Sequence, residues 1–190
     1  MLSSREIEIK LRVGDAQAAR SLLRTAGFSV CRRRVFEDNV ILDTPDLQLR
    51  GRGALFRVRA AGGTSTLTFK GPAAIGSRHK SQEELEIEIS DCRKAVAILK
   101  NLGFHRAFRY QKYRTEYSEP GVRGVVTLDE TPIGCYLEVE GLPRWIDRTA
   151  RRLGFSEKDY ITLSYGALYF QLCASQGIKP ADMVFPRRAT

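Results

Sequence analysis

The sequence predicts an α+β fold, one sheet-rich domain with helices packed on its outside. Three observations carry this. Charged and apolar residues alternate with period two in E-I-E-I-K-L-R-V (6–13), E-L-E-I-E-I (84–89) and Y-L-E-V-E (136–140), the pattern of strands with one apolar face. Each stretch is followed by a helical run that ends in Gly-Phe, at Gly27-Phe28, Gly103-Phe104 and Gly154-Phe155. The 190 residues are 43% hydrophobic, enough for a core of domain size, and no composition break divides them.

The elements follow in order. After the strand at 6–13, Asp15 suits a helix N-cap, whose side chain accepts an orphan backbone N–H. Leu22, Leu23 and Ala26 then share one helical face, and Gly27 suits the left-handed position after a helix end. The strand at 30–43 stops at the T-P-D turn. Gly62-Gly63 joins 53–60 to 64–70 as a hairpin. After the strand at 84–89, Asp91 and Gly103 bracket a second helix, with Ala95, Ile98, Leu99 and Leu102 on one face. Strands are expected at 105–117, 124–130 and 135–140, and a third helix runs up to Gly154. Residues 161–174 read as a further helix and 177–190 as a loose tail, so the domain is expected to span 1–176.

Charge bounds the partner. Lys and Arg number 31 against 22 Asp and Glu, a net +9, which implies an anionic partner. Cys31, Cys92, Cys135 and Cys173 lie far apart, which disfavours a zinc site or a disulfide-stapled fold, and His79 and His105 are the only histidines. The start M-L-S-S-R-E lacks the apolar core of a signal peptide, and no run reaches membrane-spanning length. The expectation is a soluble protein of a reducing cytoplasm with no membrane partner; a homodimer is left open.

The alternating charges are sorted by sign. Glu6, Glu8 and Lys10 share a face, as do Arg57 with Arg59, Glu84 with Glu86 and Glu88, Lys112 with Arg114, and Glu138 with Glu140. A sheet with one wet face would send these to solvent. A strongly twisted sheet that closes would instead turn them toward one another, and a closed interior of acids and bases is costly unless ions fill it. Paired carboxylates favour a hard divalent cation, and clustered Arg and Lys favour phosphate oxygens. A metal–polyphosphate complex satisfies both.

The ordered motifs resemble a known family. E-x-E-x-K (6–10), L-D-T-P-D-L-Q-L-R-G-R-G-A-L-F-R-V-R (42–59), L-T-F-K-G-P (67–72), E-x-E (86–88), K-x-R (112–114) and L-D-E-T-P-I-G-C-Y-L-E-V-E (128–140) are similar, in that order, to the CYTH superfamily of triphosphate tunnel metalloenzymes. The resemblance runs from Glu6 to about Tyr165 and implies an eight-stranded antiparallel barrel forming a tunnel. It implies that Lys10, Arg57, Arg59, Lys70, Lys112 and Arg114 grip a triphosphate. It also implies that Glu6, Glu8, Asp129, Glu138 and Glu140 hold Mg2+ or Mn2+, with Glu86 a partner on the substrate or metal side. Two departures stand out. Gln82 occupies a position where the family often carries Arg, and Phe56 interrupts the L-R-x-R pattern at a residue expected to face outward.

Three functions remain in view. A triphosphatase would direct a metal-oriented water at the terminal phosphorus of inorganic triphosphate, ATP or thiamine triphosphate. A class IV adenylyl cyclase would direct the ribose 3′-hydroxyl of ATP at its α-phosphorus. A binding module for polyphosphate or nucleic acid would use the runs Arg32-Arg33-Arg34, Arg151-Arg152 and Arg187-Arg188, but clustered carboxylates repel phosphate and disfavour it. The triphosphatase is preferred, because nothing in the motifs recognises adenine. The 71–82 loop offers Arg78 and Ile75 either as a base-side wall or, the preferred reading, as a mobile rim.

Overall fold

The computed structural model describes residues 4–186. Within them, period-two alternation produces eight strands: β1 (Ser4–Val13), β2 (Ser29–Asp43), β3 (Leu55–Ala61), β4 (Thr64–Lys70), β5 (Lys80–Glu88), β6 (His105–Ser118), β7 (Gly124–Thr131) and β8 (Gly134–Gly141). They close into one barrel in the order β1-β5-β4-β3-β2-β6-β7-β8. Every neighbouring pair is antiparallel, and β1 seals the ring by pairing with both β5 and β8. Closure leaves no sheet edge, so each strand has an inside and an outside.

Helices α1 (Ala16–Thr25), α3 (Cys92–Asn101) and α4 (Pro143–Arg152) lie outside the barrel; α2 (Gln48–Gly51) is a single turn after β2, and α5 (Tyr165–Gln176) comes last. The punctuation matches the sequence. Asp15 accepts from Ala18 N–H at 2.8 Å, and Asp91 accepts from Arg93 and Lys94 at 2.8 and 3.0 Å. Gly27, Gly103 and Gly154 follow their helices at φ of +84°, +92° and +83°, a region that strains other residues.

The main core lies between the barrel wall and α1 with α4. Ile9, Leu11, Val126, Leu128, Leu137 and Val139 point outward from β1, β7 and β8 and are buried under Ala19, Leu23, Trp145, Ile146 and Ala150. The Trp145 ring lies directly over Gly124 and Gly141, where an added Cβ would approach it to 2.8 and 2.9 Å. The opposite wall is thinly covered. On α3 the expected core face is only partly used: Ile98 and Leu102 are exposed, as are Leu85 and Ile87 on β5. Phe56 faces outward as expected and packs edge-on against Phe104.

Two expectations are corrected. Residues 161–164 are not helical: Ile161 pairs with Lys10 through reciprocal backbone bonds of 2.8 and 2.9 Å, and the helix starts only after Ser164, whose hydroxyl accepts from Ala167 N–H. The segment after 176 is not loose throughout. Met183 is 1% exposed and bonds to β6 through Met183 N–H to Arg109 O and Gln111 N–H to Met183 O, each 2.9 Å. It completes an aromatic cluster with Phe108, Tyr110, Tyr136 and Tyr165 beneath α5. The Arg187-Arg188 run lies outside the described residues.

Candidate active site

The inner faces of the strands enclose a cavity of about 360 Å³. Register explains its composition. Lys10 stands opposite Glu138 and Glu8 opposite Glu140 across β1 and β8, while Arg57 on β3 and Glu86 on β5 flank Thr68 of β4. Of the residues expected from sequence, Glu6, Glu8, Lys10, Arg57, Arg59, Lys70, Glu86, Lys112, Arg114, Glu138 and Glu140 all line this cavity. Lys80, Glu84, Tyr110 and Tyr165 line it too.

One wall is acidic. Lys10 donates to Glu8 at 3.1 Å and lies 3.1 Å from Glu138; Lys80 donates to Glu8 at 2.8 Å. Burial opposes the charged form of Glu8, yet Lys10, Lys80 and Lys70 outweigh it and hold its carboxyl at about 2. Burial likewise opposes the charge on Lys10, but Glu138 and Glu8 push its pKa up. Glu138 also accepts from Arg114, and its carboxyl is held well below the usual range despite burial. Glu6 accepts from Lys70 and, at 3.0 Å, from Gln82, which touches the acidic wall without lining the cavity. Glu140 differs. Burial and the neighbouring Glu6, Glu8 and Glu138 push it up to about 7, with Lys70 only partly offsetting them.

The facing wall is basic. Arg57 donates to Thr68 at 3.2 Å and approaches Glu86 at 3.5 Å, while its Nε is buried with no hydrogen-bond partner among the described residues. Arg59 donates to Asn39 at 3.0 Å and lies 3.5 Å from Glu37. Burial, Arg57 and Arg114 together lower its pKa, the signature of a cation among cations. Burial favours the neutral phenol of Tyr110, but Arg57, Lys112 and Arg59 prevail and lower its pKa. Glu37 is held at about 2 against its burial by Lys112, Arg114 and Arg59.

Asp129, which the resemblance counts among the metal ligands, lies deeper than the other expected acids. It is fully buried and does not line the cavity. Its carboxylate accepts from Lys112 at 2.8 Å, from Arg114 at 2.7 and 2.6 Å, and from the Tyr165 hydroxyl at 2.8 Å. It is an anchor beneath the basic wall. Tyr165 adds its ring, with Lys10 and Lys112 lying 5.3 and 5.2 Å from the ring centre.

The acids fit a divalent cation by charge more than by preformed geometry. Among the described residues no three His, Cys, Asp or Glu side chains converge on one point, because Glu6, Glu8 and Glu138 are drawn to Lys and Arg. The oxygen-only donor set is nevertheless of the type Mg2+ and Mn2+ take, and Glu140 is protonated more readily than an ordinary acid because negative charge around it is in excess.

The loop before β5 is tied down. His79 Nε2 lies 2.8 Å from Asp147, Arg78 donates to Asp147 and Glu157 at 2.6 and 3.1 Å, and Tyr160 donates to Asp147 at 3.1 Å. This clip sets the start of β5 and hence Lys80. Arg78 and Ile75 do not form a wall: Ile75 is fully exposed, and neither lines a cavity at the mouth. A second cavity of about 400 Å³ does adjoin the charged one under α5, sharing Leu55, Tyr110 and Tyr165 with it and walled by Ile41, Phe108 and Phe170.

Comparison with known proteins agrees with this geometry. The family profile for the CYTH domain matches residues 4–165. A candidate adenylate cyclase of Methanocaldococcus jannaschii is 29% identical over 135 residues, covering 71% of this chain and 75% of that protein. The PH1819 protein of Pyrococcus horikoshii superposes with a TM-score of 0.74 at 26% identity, covering 88% of this chain and 99% of that one. HpAC1 of Hippeastrum superposes with a TM-score of 0.65 at 18% identity, covering 92% and 97%; it is a candidate adenylyl cyclase described as having a dominant triphosphatase activity.

Proposed function

The chain belongs to the CYTH domain family, and from that premise we propose that it is a divalent-metal-dependent enzyme that hydrolyses a triphosphate held in the barrel. The observation that carries the proposal is the lining itself: Arg57, Arg59, Lys112 and Arg114 share one cavity with Glu6, Glu8, Glu138 and Glu140, and the lowered Arg59 pKa and raised Glu140 pKa accord with it. Each wall holds more charge of one sign than its partners neutralise. A polyphosphate beside one and a cation beside the other relieve both.

In this reading Arg57, Arg59, Lys112 and Arg114 bind phosphate oxygens, and Lys10, Lys70 and Lys80 turn from Glu6, Glu8 and Glu138 toward the phosphates. Glu6, Glu8, Glu138 and Glu140 would hold Mg2+ or Mn2+. Such an ion neutralises charge on the phosphates and orients an attacking water. Asp129 and Tyr165 keep Lys112 and Arg114 aimed into the cavity. Phosphoryl transfer depends mainly on positioning and charge neutralisation, and these residues supply both. Cyclisation of ATP is the second reading; the apolar cavity beside the tunnel and the name of the Methanocaldococcus relative favour it.

The test is product analysis from inorganic triphosphate, ATP and thiamine triphosphate with Mg2+ or Mn2+, for the wild type and two variants. Phosphate release is expected to exceed cyclic AMP formation. Glu138→Gln should shift the Mn2+ dependence. Arg59→Ala should cost roughly 1.5–3 kcal/mol of substrate or transition-state binding, the usual value of a charge-assisted contact. Cyclic AMP as the main product would promote the cyclase. Unchanged triphosphate kinetics in Arg59→Ala, with loss of nucleic-acid binding, would promote the binding module.

A further inference from the structure

The charge of the chain does not belong to its cavity. Seven cations line the charged cavity against six carboxylates, and Glu37 and Asp129 lie buried against the same cations. The barrel interior is therefore close to neutral, and the net +9 sits outside it. Helix α4 gathers much of this excess. Arg144, Arg148 and Arg151, at i, i+4 and i+7, share one face, with Arg152 beside them. All four are exposed, opposite the buried Trp145, Ile146 and Ala150. Arg123 flanks the start of this stripe: it is exposed, and it precedes Gly124, over which the Trp145 ring lies.

These cations are poorly neutralised. Among the described residues Arg152 pairs with Glu119 at 2.6 Å, while Arg123, Arg144, Arg148 and Arg151 make no ion pair. The one acid of the helix, Asp147, is turned away onto Arg78, His79 and Tyr160. Carboxylates disfavour a phosphate partner inside the barrel, but they do not reach this outer face.

The chemistry of the stripe selects its partner. Every cation in 141–152 is arginine, whose planar fork matches two phosphate oxygens at once. Arg144 to Arg151 spans about 10 Å of a helix fixed on the barrel, a stiff row suited to a stiff row of phosphates. The aromatic of the helix, Trp145, is buried, which leaves no platform on which unpaired bases could stack. A lipid surface would need an apolar face to insert, and that of α4 is spent on the core; Leu142 and Val122 at its start add little area. We propose that the outward face of α4, with Arg123, is a docking surface for the phosphate backbone of duplex nucleic acid, separate from the barrel and indifferent to sequence.

Fluorescence anisotropy with a short labelled duplex DNA bearing 5′-hydroxyl ends tests this. The duplex has no triphosphate end and is too wide for the cavity, so the readout does not depend on the reaction in the barrel. Wild-type affinity should fall with salt at a log–log slope of about 3 to 4. Arg144→Glu/Arg148→Glu should weaken binding about tenfold or more and reduce that slope by about 2, with Arg144→Gln/Arg148→Gln between it and the wild type. Arg93→Glu/Lys94→Glu makes the same charge change at exposed positions of α3 and should stay within about twofold of the wild type. Unchanged melting temperatures establish that the variants are folded. No salt-dependent binding by the wild type, binding that survives both α4 variants, or an equal loss in the α3 variant overturns the surface; the last would mean that net charge alone is read. Vesicles of phosphatidylcholine and phosphatidylserine form a parallel arm. Their capture of the wild type but not of Arg144→Glu/Arg148→Glu, without duplex binding, overturns the nucleic-acid assignment in favour of a membrane surface.

Discussion

Glu6, Glu8 and Glu138 each sit against a Lys or Arg, but Glu140 is surrounded mainly by acids and is pushed up to about 7. The sign of its linkage follows. Between its ordinary 4.5 and about 7 the folded protein holds a proton that the unfolded chain does not. Its contribution to stability is therefore fully present below pH 4.5 and is lost as pH rises through about 7. A cation that uses this carboxylate must displace that proton. At pH 6, Mn2+ binding is expected to release protons, and affinity should climb with pH until about 7. Titration calorimetry in two buffers of different ionisation enthalpy reads the release directly. Identical heats in both, or a release that persists in Glu140→Gln, would remove Glu140 from the metal site. The same residue shows what sequence reasoning reaches. Its membership in the cavity is legible from its spacing to Glu138, but its charge state depends on Glu6 and Glu8 from another strand. Asp129 marks the opposite limit: alternation turns it inward, yet depth is set by Lys112, Arg114 and Tyr165 closing over it.

At the scale of elements, strands were legible and their ends less so. The alternating stretches convert directly into inner and outer faces, so most of the charged lining follows from spacing once the sheet closes. Lys80 and Tyr165 lie outside those stretches, at a loop end and a helix start, and only closure brings them in. Residues 161–164 look helical because they lead without a breaker into the apolar run that follows, but Ile161 gains two backbone bonds to Lys10 by staying extended. The tail carries no periodicity, and Met183 is held by pairing with β6. That contact is testable. Met183→Ala should cost about 2–5 kcal/mol, and Met183→Leu less than about 1.5, because the first leaves a cavity and the second conserves volume. Denaturant midpoints at unchanged slope read both. An alanine variant as stable as the wild type would mean that the 177–186 segment is dispensable to the fold.

Across the whole molecule, closure holds two unlike charge excesses face to face inside one wall. In an open sheet Arg59 and Glu140 would face solvent and relax; in the barrel neither can, and each wall remains short of its counter-ion. Phosphate drawn to the basic wall deepens the potential that attracts a cation to the acidic wall, and the cation does the same in return. The two ligands should therefore stabilise the fold cooperatively. Either alone at a hundred times its dissociation constant would add about 2.7 kcal/mol. For a chain of this size each kcal/mol is worth roughly 2–4 °C in melting temperature. Thermal scans with Mg2+ alone, inorganic triphosphate alone and both should show a joint shift larger than the sum of the separate ones. Scans must be corrected for Mg2+–triphosphate complexation in solution, using free concentrations. A joint shift no larger than the sum would mean that the two walls act independently, and that the closed barrel does not couple metal to substrate.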